Sequence, residues 1–212
     1  MRYKEFSEKF GVRFTTHSGK LEGIQSLNTS VALNPICAKR AQVPGSICAH
    51  CYADALVKMR KGLRENIANN TRILTENIIP VNEWPIINAR VFRFESFGDL
   101  MSVNQVINYF NFAKRNPKTT FALWTKNPEY IARARDEGHK KPRNLIIIQS
   151  SFKLNEVDAP RYDFIDKVFT VYEKAYAKEN NVNITCGARN CLECGRCYRK
   201  TKQTEYVNEL KK

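Results

Sequence analysis

With 212 residues, 42% hydrophobic and 11% aromatic, the chain is long enough to bury a proper core as one large domain, or as one domain with a small appendage. Met1 to Phe10 mixes charge with aromatics and has no apolar h-region, and no apolar run approaches the length of a membrane span; neither a signal peptide nor a membrane contact is expected. The formal net charge of +14 and a pI near 9.6 favour a polyanionic partner, a nucleic acid or nucleotide first.

Along the chain, a strand followed by a helix recurs. Thr29–Leu33 is a short β-prone run ending at Asn34-Pro35, and a cysteine-bearing loop follows. From Ala49 the pattern turns helical, with Tyr52, Leu56, Met59 and Leu63 at helical spacing and a break near Gly62. A second helix is expected over Arg64 to Asn77. Arg90–Phe94 is the next strand, and Val103, Val106, Ile107 and Phe110 mark the helix after it. Thr119–Trp124 is β-rich; Asn127-Pro128 then supplies a cap and an N-terminal proline, and Gly138 a stop. Leu145–Gln149 and Lys167–Tyr172 read as strands, with a short helical piece from Glu173 to Lys178. Val182–Thr185 is the final strand expected, running into Cys186, and Tyr198 to Leu210 a terminal helix. Six strands, most followed by a helix, predict an α/β fold with a parallel sheet and helices outside. The pattern fits an open sheet or a partial barrel equally.

In such folds the functional rim lies at the carboxyl ends of the strands. The residues expected there are Asn34 and Cys37, then Glu95, Ser96, Gly98 and Asp99, then Thr125 and Lys126. Gln149, Ser150 and Ser151 follow, then Tyr172 and Glu173, and finally Thr185 and Cys186.

The cysteines number seven, an odd count that suits a disulfide framework poorly, and in a reducing cytoplasm thiols are retained for metals or catalysis. Cys37, Cys48 and Cys51 form one group. Its Cys48-Ala49-His50-Cys51 pair can grip one metal or cluster edge, and His50 could complete a Cys3His zinc site. The second group packs Cys186, Cys191, Cys194 and Cys197 into twelve residues. Closely stepped cysteines of this kind favour an iron–sulfur cluster, with zinc as the alternative. Three thiolates leave one iron of a [4Fe-4S] cluster open, whereas four close it. Gly187 and Gly195 relax the backbone around the second group. His17, His50 and His139 read as ordinary surface or core residues.

Asn34-Pro35 leading to Pro44-Gly45-Ser46-Ile47-Cys48-Ala49-His50-Cys51-Tyr52-Ala53 resembles a signature of phage- and prophage-encoded proteins related to the radical SAM superfamily. Arg90-Val91-Phe92 through Gly98-Asp99-Leu100, and Phe121 to Lys126, resemble the second and third strand motifs of the same group, which is the phage "gene product 88"-like group. The resemblance spans roughly residues 30 to 130. It implies a partial (βα)6 TIM-like barrel over residues 1–185, followed by a C-terminal four-cysteine metal-binding segment and terminal helix over 186–212. It further implies a [4Fe-4S] cluster on Cys37, Cys48 and Cys51 whose open iron chelates S-adenosylmethionine. Glu95, Gly98 and Asp99 stand where such enzymes receive the cofactor's amino group, and the second group would hold an auxiliary cluster. The cysteine spacing departs from the usual pattern, with ten residues in the first gap where three are customary.

The expectation is therefore an iron–sulfur enzyme of the cytoplasm (the host's, if phage-encoded), acting on a nucleic acid or nucleotide through a SAM-derived radical. It would need an electron donor, and Lys126 is the candidate catalytic-rim contact to a phosphate or cofactor carboxylate. The alternative is a non-enzymatic nucleic-acid-binding protein braced by zinc or iron–sulfur.

Overall fold

The computed structural model describes residues 1–211. Seven strands form one sheet in chain order: β1 (Thr15–Thr16), β2 (Gln25–Leu27), β3 (Val91–Phe94), β4 (Thr120–Thr125), β5 (Leu145–Ser150), β6 (Lys167–Tyr172) and β7 (Glu205–Leu210). β1 pairs antiparallel with β2, and every later pairing is parallel to the next strand in sequence. The sheet is not closed by a β1–β7 pairing.

Alternation along the strands sorts two apolar layers. Phe92, Phe94, Phe121, Leu123, Leu145, Ile147 and Val168 share a core with Phe6 of α1 (Tyr3–Phe10), Leu74 of α4 (Lys61–Glu76), Phe110 and Phe112 of α5 (Val103–Arg115), and Ile131 of α6 (Glu129–Asp136). On the opposite face, Val91, Ala122, Ile146 and Ile148 pack against Ile24, Leu192 and Tyr198. The four-cysteine segment thus covers one face of the sheet, which explains why β5 is buried at every position.

Three expectations change. The run Thr29–Leu33 is a loop, and the ladder ends at Leu27. Side chains capture the backbone there: the Thr29 amide donates to Glu95 Oε2 (3.1 Å) and the Ser30 amide to Thr71 Oγ1 (2.8 Å). Asn28 meanwhile accepts from the amide of Ser96 at 2.7 Å. With its first two amides spent on side chains, the segment cannot carry the ladder onward from Leu27.

Val182–Thr185 is also irregular, although the amides of Thr185 and Cys186 donate to the Asn208 carbonyl at 3.1 and 2.9 Å. The tail expected as a helix supplies β7 instead. Its register sets Glu205 opposite Lys167, whose fully buried ammonium it pairs with, and places Val207 in the core. Between β5 and β6 the chain crosses without a helix. The other helices match closely, including α3 (Tyr52–Met59) and α7 (Lys174–Glu179).

Asn28 is the hinge of the first correction, since its Nδ2 also donates to Thr15 Oγ1 and Ser26 Oγ at 3.0 and 2.8 Å. Asn28→Ala strands the buried Ser96 amide, and the expected cost is about 1–3 kcal/mol in a urea melt. An unchanged midpoint would show that the amide has another acceptor.

Candidate functional site

The first cysteine group lies on the connection after β2. Asn34 caps α2 (Pro35–Ala41): its Oδ1 accepts from the amides of Ile36 and Cys37 at 3.0 and 3.4 Å, and its Nδ2 donates to the Asp99 carbonyl at 3.1 Å. Cys37 is thereby fixed in the first turn, beside the rim residue Asp99. Cys48 lies in a single 3-10 turn capped by Ser46, whose Oγ accepts from Ala49 N at 3.1 Å and donates to the Arg40 carbonyl at 2.8 Å. Cys51 opens α3 as its N-cap. The loop docks on the far side of the sheet, with Ile47 N donating to the Phe152 carbonyl at 3.0 Å, just after β5. Burial pushes the Cys37 thiol up to about 12, and the charges of Asp99, Cys48, Cys51 and Glu95 push the same way. Burial also raises Cys48, against the pull of Lys126 and Arg40.

Glu95 ends β3 in the left-handed region, at φ 56°. Its carboxylate is fully enclosed by donors from Thr29 (amide and hydroxyl), Gln105 Nε2 at 2.7 Å and the Tyr109 hydroxyl. Gly98, at φ 85°, allows the turn to close, since a Cβ there would stand 2.5 Å from the Thr29 carbonyl oxygen. Asp99 accepts from the Thr125 hydroxyl (2.5 Å), the Leu100 amide (2.8 Å) and the Lys126 amide (3.0 Å), with Arg40 Nη1 at 3.6 Å. Burial raises its carboxyl above the usual range, opposed by Lys126, Thr125 and Arg40. Glu95, Gly98 and Asp99 are therefore gathered at the rim, with both carboxylates engaged by protein donors. Lys126 follows β4; its carbonyl accepts from Arg40 Nη2 at 3.1 Å and Arg161 Nη2 at 2.5 Å, and the charges of Lys126 and Arg40 bear on Cys48.

The second group is drawn into one place. Cys186, Cys191, Cys194 and Cys197 all line a single cavity with Lys20, Arg93, Trp124, Arg196 and Tyr198. Asn190 caps the short helix α8 (Cys191–Cys194), and Gly195 at φ 61° turns the chain back to Cys197. Lys20 Nζ donates to Cys186 Sγ at 3.3 Å and to Glu209 Oε1 at 2.6 Å. Burial pushes the Cys197 thiol up to about 12, against Arg93. As the side chains stand, no group of three or more His, Cys, Asp or Glu is gathered tightly enough among the described residues to grip one ion.

Arg40, Arg93, Trp124, Tyr198 and Lys20 escape the sequence reading. Only Arg93 carried a signal, as a charge at an alternate position inside the buried strand run Val91-Phe92-Arg93-Phe94. His17 lies nearby with Nε2 2.6 Å from Ser26 Oγ; burial, aided by the Arg93 charge, lowers its pKa to about 4 and keeps it neutral. Within the basic tail, Arg196 pairs with Glu205 at 2.6 Å and Arg199 donates to the Cys194 carbonyl, leaving Lys200 and Lys202 exposed. No helix among the described residues is long and apolar enough to cross a membrane.

A family model, Gene product 88, matches residues 14–208, so the chain belongs to the gene product 88 family. This bears out the resemblance to that phage gene-product group and carries no link to radical SAM enzymes. No curated protein and no solved structure matches the chain.

Burial raises the Glu95 carboxyl from about 4.5 in the unfolded chain to about 8, even against donors from Tyr109 and Thr29. The folded protein thus holds this proton where the unfolded chain has lost it. Its contribution is greatest below the unfolded value and declines as pH rises toward 8, by a few kcal/mol. Wild-type stability relative to Glu95→Gln should fall over that window in urea melts; a difference that is flat with pH would contradict it.

Proposed function

We propose that this is an iron–sulfur protein of radical-SAM-like design that acts on a nucleic acid or nucleotide. The observation that carries the metal reading is the second cavity, where four cysteines converge with no carboxylate or imidazole in the lining. An all-thiol donor set suits zinc or an iron–sulfur cluster, and excludes the oxygen-seeking ions. The three-cysteine loop, placed beyond the carboxyl end of the first parallel strand, supports an open cluster there.

The sheet itself supports an incomplete barrel of the (βα)6 type. In a flat sheet β2 and β7 would lie about 24 Å apart. Lys20, shortly before β2, nevertheless bonds to Glu209 on β7. The connection after β2 also reaches the loop after β5. Strong curvature accounts for both.

Cys37, Cys48 and Cys51 would hold one [4Fe-4S] cluster, and Cys186, Cys191, Cys194 and Cys197 a second. S-adenosylmethionine at an open iron would supply hydrogen-abstraction chemistry, given an electron donor. The chain's own part is positional. Gly98 keeps the rim turn tight, Asp99 holds the Lys126 amide and faces Arg40, and the Lys126 ammonium would meet a phosphate or carboxylate. One observation favours the second reading, a metal-braced binding protein without turnover: both Glu95 and Asp99 are already engaged by protein donors.

Anaerobic purification with iron, sulfide and zinc counts, and electron paramagnetic resonance with and without SAM, separates the two. Near eight irons and a SAM-dependent spectrum are expected for two clusters with one open. Zinc with negligible iron, or a spectrum indifferent to SAM, would leave the binding protein.

For the partner, binding to single-stranded oligonucleotide should weaken steeply with salt, and Lys126→Ala should reduce the salt slope by about 1. Salt-insensitive binding would remove the polyanion argument.

A further inference from the structure

The cations lining the four-cysteine cavity are not equally provided for. Lys20 is paired with Glu209 and Arg196 with Glu205, whereas no ion pair engages Arg93 among the described residues. Its guanidinium lies over the Trp124 ring, 3.8 Å from the centroid, and its Nε is buried without an acceptor. Tyr198, also a lining residue, repeats the pattern: it is buried, and its hydroxyl has no partner. A buried guanidinium nitrogen and a buried hydroxyl, each without an acceptor, are both costly. The ring stack holds Arg93 in position but supplies no counter-charge comparable to an anion. Two donors without acceptors thus belong to residues that line the same cavity as the four cysteines.

We propose that Arg93 and Tyr198 are the built-in counter-charge and hydrogen-bond donor for an anionic metal–thiolate centre held by Cys186, Cys191, Cys194 and Cys197. This rests on the metal reading of that cavity. Four thiolates outweigh the charge of a divalent ion or a cluster core, so the loaded centre is a net anion with sulfur lone pairs turned outward. Arg93 then meets its missing charge and Tyr198 its missing acceptor. Such outer partners orient ligands and set the affinity and potential of a metal site, and losing one typically costs 10- to 100-fold in affinity.

Full-length protein purified without oxygen is exposed to excess EDTA, and the metal retained is followed with time. Comparison with Cys194→Ser identifies the share belonging to this cavity. Arg93→Met should release that share at least tenfold faster than wild type, Arg93→Lys should stay within about twofold, and Tyr198→Phe should fall between. In iron-loaded samples Arg93→Met should also lower the reduction potential of the centre, a change that loosened packing does not produce. Arg93→Gln is the second neutral variant, read the same way, should Arg93→Met fail to fold. Wild-type release rates in both neutral variants overturn the proposal. Equal losses in Arg93→Met and Arg93→Lys do so too, since the residue would then serve packing rather than charge. Retained metal with lost oligonucleotide binding would make the missing anion a substrate group and overturn it likewise. A wild-type protein with no metal sensitive to Cys194→Ser defeats the metal reading itself, and this inference with it.

Discussion

The buried carboxyl group of Glu95 is the constraint on which the rim depends. It takes hydrogen bonds from Thr29, on the connection after β2, and from Gln105 and Tyr109 on α5, while itself ending β3. One side chain therefore ties two strand ends to the helix that covers them. A lost donor would leave part of a buried acidic group unsatisfied, so the arrangement has little freedom to drift. The left-handed backbone at Glu95 and the close approach of Gly98 to Thr29 follow from closing this knot. Asp99, one residue further on, then has a fixed place from which to organise Asn34, Thr125 and Lys126.

From that knot the first cysteine group inherits its position. Asn34 connects the Asp99 carbonyl to the cap of α2, and so to Cys37. Ser46 connects α2 to the turn bearing Cys48. Backbone hydrogen bonds to the loop after β5 anchor the other end. The long gap between Cys37 and Cys48 thus ends in an ordered crossing of the rim. Loop closure grows expensive only slowly with length, and these anchors offset it.

The second group depends on a different feature, the unpaired gap between the first and last strands. Lys20, Arg90 and Gly23 on one side meet Glu209 and Leu192 through the cysteine segment, which fills one sheet face with Tyr198 and Leu192. This segment is a structural layer as well as the bearer of four cysteines. Of its cations, Arg196 is paired within the fold, sharing Glu205 with Lys167 of β6, whereas Arg199, Lys200 and Lys202 stay exposed.

The grouping of the cysteines, the α/β class, and the strands at β3 to β6 with the helices beside them were legible in the residues, because buried strands and amphipathic helices declare themselves by apolar periodicity. The rim positions of Glu95, Gly98, Asp99 and Lys126 were legible for the same reason: they lie just beyond those strands, whereas α2, opening at Asn34-Pro35 where a cysteine-bearing loop was expected, was not. Three things were decided only in the folded chain. Thr29–Leu33 has a strand's composition, but distant side chains of Glu95 and Thr71 claim its amides. Residues 205–210 have too few apolar positions to declare a period, and the edge of β6 with its buried Lys167 made them a strand. The pairing of Arg93 with Trp124 beside four thiols arose from strand register and from a segment a hundred residues away, and neither is written in local periodicity. Local pattern determines which elements form, whereas satisfying buried charges and backbone donors across the sheet determines where the chemistry-bearing side chains meet.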